Sequence, residues 1–117
     1  DSYNHNLETS ETYYPNICST HSWQERYKTC ENIKAAGLAL CCGGIFGMGE
    51  TEADRDALLK AIASLKPVST PLNFYHPNPA LPLQQCTVNQ KGAIKIIHKA
   101  RSILGEKHLL MVAGGRE

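Results

Sequence analysis

Along this chain, short apolar runs alternate with longer stretches in which apolar residues recur every three or four positions. The longer stretches carry helix punctuation. Ser22-Trp23-Gln24-Glu25 has capping-box spacing, in which the serine side chain takes a free backbone N–H and the glutamate reaches back. Trp23, Tyr27, Cys30 and Ile33 follow at helical intervals, and Gly37 suits a left-handed stop. A second helix is predicted to open at Thr51-Glu52-Ala53-Asp54, with Leu58, Ile62 and Leu65 as its stripe. A third is predicted from Thr87-Val88-Asn89-Gln90, running along Ile94, Ile97, Arg101 and Leu104 and stopping at Gly105.

The apolar runs between these helices suit buried strands, at residues 38–42, 70–75 and 108–113, with a fourth ending at Ser2-Tyr3-Asn4. Strand and helix then alternate throughout, which implies an α/β fold with a parallel sheet and right-handed crossovers. No internal repeat or low-complexity linker divides the chain, so residues 1–117 read as one domain or a slice of one. After each strand comes a polar or glycine-rich segment: residues 4–9, 43–50, 73–82 and 114–117. The connections at the opposite strand ends, around Gly37, Pro67 and Gly105, are short and plain. In parallel α/β folds the C-terminal strand ends share one face, and that face holds the site. Turn chemistry alone accounts for one such loop; four on one face favour a site.

Length changes this picture. The 117 residues suffice for one modest core but not for a closed eight-stranded βα barrel, which takes roughly 250. Neither end reads as a tail, so the chain is expected to be a piece of a larger cytoplasmic enzyme, with exposed sheet edges that invite association. Charge adds little: twelve Lys plus Arg against eleven Asp plus Glu, without clustering, does not suit nucleic acid. The apolar runs fall far short of the ~20 residues of a membrane span. Five cysteines, odd in number and irregular in spacing, read as reduced thiols rather than a disulfide framework or a zinc site. Cys18, Cys30 and Cys86 read as small buried hydrophobes.

The strand-end segments carry candidate chemistry. Asn4 and Asn6 alternate on extended backbone, so both amides face one way. An amide both donates and accepts, which suits a neutral urea or amide; Glu8, acceptor-only when ionised, suits a vicinal diol. An Asx-rich turn explains the same residues without a ligand. The Gly43-Gly44 to Gly47-x-Gly49 run lets backbone approach a ligand closely. Cys41 and Cys42, adjacent at a strand end, are expected to face opposite sides of the sheet, one inward and one under a helix.

Several runs resemble the biotin synthases, a family of the radical S-adenosylmethionine (radical SAM) enzymes. They are Tyr3 through Ser10 (YNHNLETS), Ile17 through Trp23, Ala36 through Ile45 (AGLALCCGGI), Gly47-Met48-Gly49-Glu50, Pro71-Leu72-Asn73 and Ala113 through Glu117. The resemblance spans the whole chain. It implies a partial (β/α)₈ (TIM-type) barrel of about four parallel strands with intervening helices, lacking the half that carries the CxxxCxxC loop. It implies sulfur insertion into dethiobiotin, forming biotin by 5′-deoxyadenosyl radical chemistry. Implied cofactors are SAM, a 4Fe–4S cluster with ligands outside this chain, and a second iron–sulfur cluster, 2Fe–2S in the family. An electron donor such as flavodoxin and a homodimer are the implied partners. By resemblance Asn4, Asn6 and Asn73 contact substrate, Asn6, Glu8 and Arg26 contact SAM, and Cys41 ligates the second cluster; no residue is singled out as catalytic. Arg26 competes with an ordinary surface pair.

The chain also departs from the family pattern. Met111 stands where an Arg ligand to the second cluster is common, Glu8 where Asp is common, and Cys42 where Ser is usual. Without the CxxxCxxC loop this chain alone is expected not to cleave SAM. Two alternatives stay open: another radical SAM enzyme, such as a methyltransferase or cofactor maturase, and a non-catalytic α/β module, which would lack iron.

Overall fold

A computed structural model describes residues 2–77, 80 and 86–114. Among these residues, three α-helices start where side chains satisfy free backbone N–H groups. Helix α1 spans Trp23–Ala35, and Ser22 Oγ accepts from Glu25 N at 3.1 Å. Helix α2 spans Glu52–Leu65 behind a complete capping box, Thr51 Oγ1 accepting from Asp54 N and Asp54 Oδ2 from Thr51 N. Helix α3 spans Gln90–Leu104, capped by Asn89, whose Oδ1 accepts from Gly92 N at 2.8 Å.

The third cap corrects the expectation at Thr87. Thr87 is held by the glycine loop instead: its N–H donates to Gly47 O and its hydroxyl accepts from Gly49 N at 3.1 Å. The stripe on α3 is also rotated from the predicted one. Ile96 and Ala100 are buried, with Ala93, Ile97, Ile103 and Leu104 packed beside them, while Ile94 is 55% exposed. Arg101 leaves the apolar face to cap the C-terminus, its Nη1 donating to the carbonyls of Gly105, Glu106 and His108. A short 3₁₀ turn at Tyr14–Asn16, with Pro15 inside its first turn, was not apparent from periodicity.

The strands are β1 (Ser2–Asn4), β2 (Ala39–Cys41), β3 (Gly44–Phe46), β4 (Ser69–Phe74) and β5 (Leu109–Gly114), every pairing parallel. The predicted single strand at 38–42 is thus replaced by two short ones, both against β4. Pro71 is the reason. It has no N–H to continue the ladder between the Cys41↔Ser69 and Gly44↔Leu72 pairs. At the break, a Cβ on Gly43 would lie 1.9 Å from Pro71 O, so only glycine admits so close a strand approach. Counting β2 and β3 as one bent strand, the described residues form a sheet of four strands in sequence order.

That order has a consequence for layering. Right-handed crossovers between successive neighbours place every helix on the same side of the sheet. One core cluster accordingly joins Cys30 and Ile33 of α1, Leu58, Leu59 and Ile62 of α2, and Ile96 and Ala100 of α3 to Leu40, Cys42, Leu72 and Phe74. The other face carries Leu109 and Met111, 57% and 40% exposed. Helices on one side and an open opposite face are the layering of a partial TIM-type barrel, not of a doubly wound sheet.

Candidate functional site

Parallel register fixes which side chains share the open face. Asn4 pairs with Cys41, Cys41 with Ser69 and Ser69 with Leu109, so these four form one row across the sheet. Pro71 and Met111 form the next row, and Asn73 lies beyond Pro71 on the same face of β4. The adjacent cysteines divide as expected. Cys42 is fully buried, its Sγ 3.9 Å from that of Cys30 on α1, whereas Cys41 is half-buried on the open side. The neighbouring Cys30 thiol, then burial, pushes the Cys42 thiol far up, and its side chain packs in the core under α1.

The segment after β1 supplies the next groups. Its backbone is pinned from two sides. Leu7 N and Glu8 N donate to Gly43 O, Ile45 N donates to Glu8 O, and Trp23 Nε1 of α1 donates to Thr9 O at 2.9 Å. Asn6 Oδ1 accepts from Gly43 N at 3.0 Å, which orients its amide. Arg26 is half-buried, and its Nε donates to Asn6 O at 2.7 Å; it is not a solvated surface pair. Glu8 adopts a left-handed φ of 71°. Its Oε1 is buried with no hydrogen-bond partner among the described residues. Burial holds the Glu8 carboxyl above its ordinary range, opposed by the Arg26 charge and the Asn6 amide. His5 Nε2 is likewise buried without a partner, and desolvation, helped by Arg26, lowers its basicity.

Asn4, Asn6, Glu8, Arg26 and Cys41 therefore gather at the tips of β1 and β2. Asn73 joins them through β4, its Nδ2 reaching Gly44 O at 3.4 Å. Backbone donors of the glycine run are taken up within the protein. Gly47 N and Met48 N donate to the Glu50 carboxylate, which also takes Arg55 Nε at 2.7 Å, so the loop satisfies these two donors itself. Gly44 serves close packing, since its Cβ would lie 2.7 Å from Glu8 O.

Cys18 also corrects its expectation. It is half-exposed, and the Tyr14 hydroxyl, then Thr20 and neighbouring backbone amides, draw its thiol down to about 6. Cys86 too is half-exposed, whereas Cys30 is the buried filler expected. Ser69 was missed: 3% exposed, it donates Oγ–H to Cys41 Sγ at 2.8 Å. Nothing in the local sequence marks a serine after Pro67-Val68 as the partner of a cysteine in another strand. The expected site segments at 78–79, 81–82 and 115–117 lie outside the described residues.

The donor set suits the implied groups in part. An orphaned buried carboxylate oxygen suits a diol, and one open-face thiol suits iron. Among the described residues, no group of three or more His, Cys, Asp or Glu is placed to hold a metal. No helix among them is long and apolar enough to cross a membrane.

No family model matches the chain. It is, however, 69% identical over all 117 residues to a biotin synthase of Sulfurovum sp., and 56% identical over the same length to one of Nitratiruptor sp.. Over 116 residues it is 53% identical to a biotin synthase of Helicobacter pylori. The chain spans about two-fifths of the length of these curated relatives, 41%, 42% and 41% respectively. With one-sided α/β layering, strand-tip amides and an open-face thiol, this chain is similar to biotin synthases from end to end of the stretch it spans.

Proposed function

We propose that the full protein is a biotin synthase, inserting sulfur into dethiobiotin, and that this chain lines one side of its reaction pocket. The observation that carries the reading is the strand-tip arrangement: Asn4 in register with Cys41, and Asn6 and Asn73 bonded to the adjoining Gly43 and Gly44. A cyclic urea presents a carbonyl and two N–H groups, and amides match both. Asn6, oriented through its Oδ1, holds its amide against the ureido ring; Asn4 and Asn73 complete the contact. Glu8 Oε1 accepts from the SAM ribose diol. The terminal guanidinium nitrogens of Arg26, beyond its bond to Asn6 O, pair with the SAM carboxylate.

Cys41 contributes its sulfur to the second iron–sulfur cluster. When bound, SAM and the clusters supply the electron, the adenosyl radical and the sulfur. The chain's own residues bind, orient and shield. A flavodoxin-type electron donor, a second copy of the protein and a cytoplasmic setting complete the proposal.

The test is anaerobic assay of the full-length protein carrying Cys41→Ala. Biotin formation is expected to vanish while SAM cleavage survives. Near-normal biotin turnover overturns the role of Cys41.

A further inference from the structure

The backbone at Cys41 is locked on both sides. Its carbonyl accepts from His5 N at 3.0 Å on the β1 side, and on the β4 side the adjoining Cys42 N donates to Ser69 O at 3.1 Å. What remains adjustable is the direction of the Cys41 side chain and the electron density on its sulfur. Both are addressed by one buried group. Ser69 Oγ lies 2.8 Å from Cys41 Sγ, in direct strand register with it and 3% exposed. A buried hydroxyl that must keep its hydrogen bond holds its acceptor in place.

We infer that Ser69 is a positioning and potential-tuning residue for Cys41. Its O–H fixes the sulfur toward the open face and draws off part of the negative charge a thiolate gives to iron. Hydrogen bonds to ligand sulfurs set cluster reduction potentials, because they stabilise the more electron-rich reduced state. The inference rests on the reading of Cys41 as a cluster ligand.

The experiment uses the full-length protein, reconstituted anaerobically, with the midpoint of each cluster followed by spectroelectrochemistry. Ser69→Ala is expected to keep its iron and sulfide but to move the second cluster to a more negative midpoint. At the parent midpoint its oxidised-to-reduced ratio rises about tenfold, equivalent to ~59 mV for a one-electron couple. The radical-generating cluster keeps its midpoint and serves as the internal reference. Ser69→Thr, which retains the hydroxyl, restores the parent value. An unchanged second midpoint in Ser69→Ala, in protein whose iron content falls on Cys41→Ala, overturns the role of Ser69 alone. Iron content unaffected by Cys41→Ala overturns this inference together with the reading beneath it.

Discussion

Two carboxylates sit in comparable places, each in a loop at a strand tip, yet their surroundings are opposite. Glu50 is 6% exposed and fully engaged: Gly47 N, Met48 N and Arg55 Nε all donate to it. Glu8 is held at a left-handed φ with one oxygen buried and unpartnered among the described residues, and Arg26 offsets its charge only from a distance. A satisfied buried network stabilises the fold, whereas an orphaned acceptor costs stability. On the proposed reading, the difference separates a carboxylate that shapes a loop from one kept for a ligand.

The largest effect expected from this contrast is on the Glu50 side. Glu50→Ala removes one partner of a buried ion pair and strands two N–H groups, so stability should fall by about 3 kcal/mol in chemical denaturation. A loss below ~1 kcal/mol would break the contrast. On the other side, Glu8→Gln should not lower the denaturation midpoint at neutral pH, since it removes a desolvated charge, while weakening SAM binding about tenfold, as loss of a charge-assisted hydrogen bond does. Calorimetric titration of the full-length protein decides this, and equal affinity would remove Glu8 from the site. Thr51→Ala, which breaks the capping box behind the Glu50 loop, should cost about 1 kcal/mol.

The smallest effect is a pH slope. The folded Glu8 carboxyl titrates above the ordinary 4.5, so between that value and its folded pKa the folded chain holds more protons than the unfolded one. Stability from this group is therefore lost as pH rises through that window. Glu8→Gln should flatten stability over that range; a parallel profile in the variant would show that Glu8 is not desolvated.

Much of the fold was legible from residue order. Ser22, Thr51 and Gly37 act locally, through caps and one positive φ, so their roles need no knowledge of the rest of the chain. The third helix shows where local reading fails. Thr87 has a cap's chemistry, but Gly47 and Gly49, some forty residues earlier in the chain, claim it. The bent β2–β3 strand fails for a similar reason: Pro71 interrupts a ladder whose register no local pattern encodes.

For the site, the period of extended chain separated Cys41 from Cys42. In the glycine run, Gly47 N and Met48 N turn to Glu50 two to three residues away, while Gly43 N and Gly49 N bond distant side chains that no local pattern marks.

Sequence alone determined the alternation of elements, the caps, the residue types at the strand tips and the family runs, since each depends on short-range spacing or on chemical identity. Tertiary structure decided which of those groups meet: the Asn4–Cys41–Ser69 row, the hydroxyl against the sulfur, the orphaned Glu8 oxygen and the closed Glu50 network. Those outcomes depend on strand register and burial, which arise only when segments distant in sequence exclude water together.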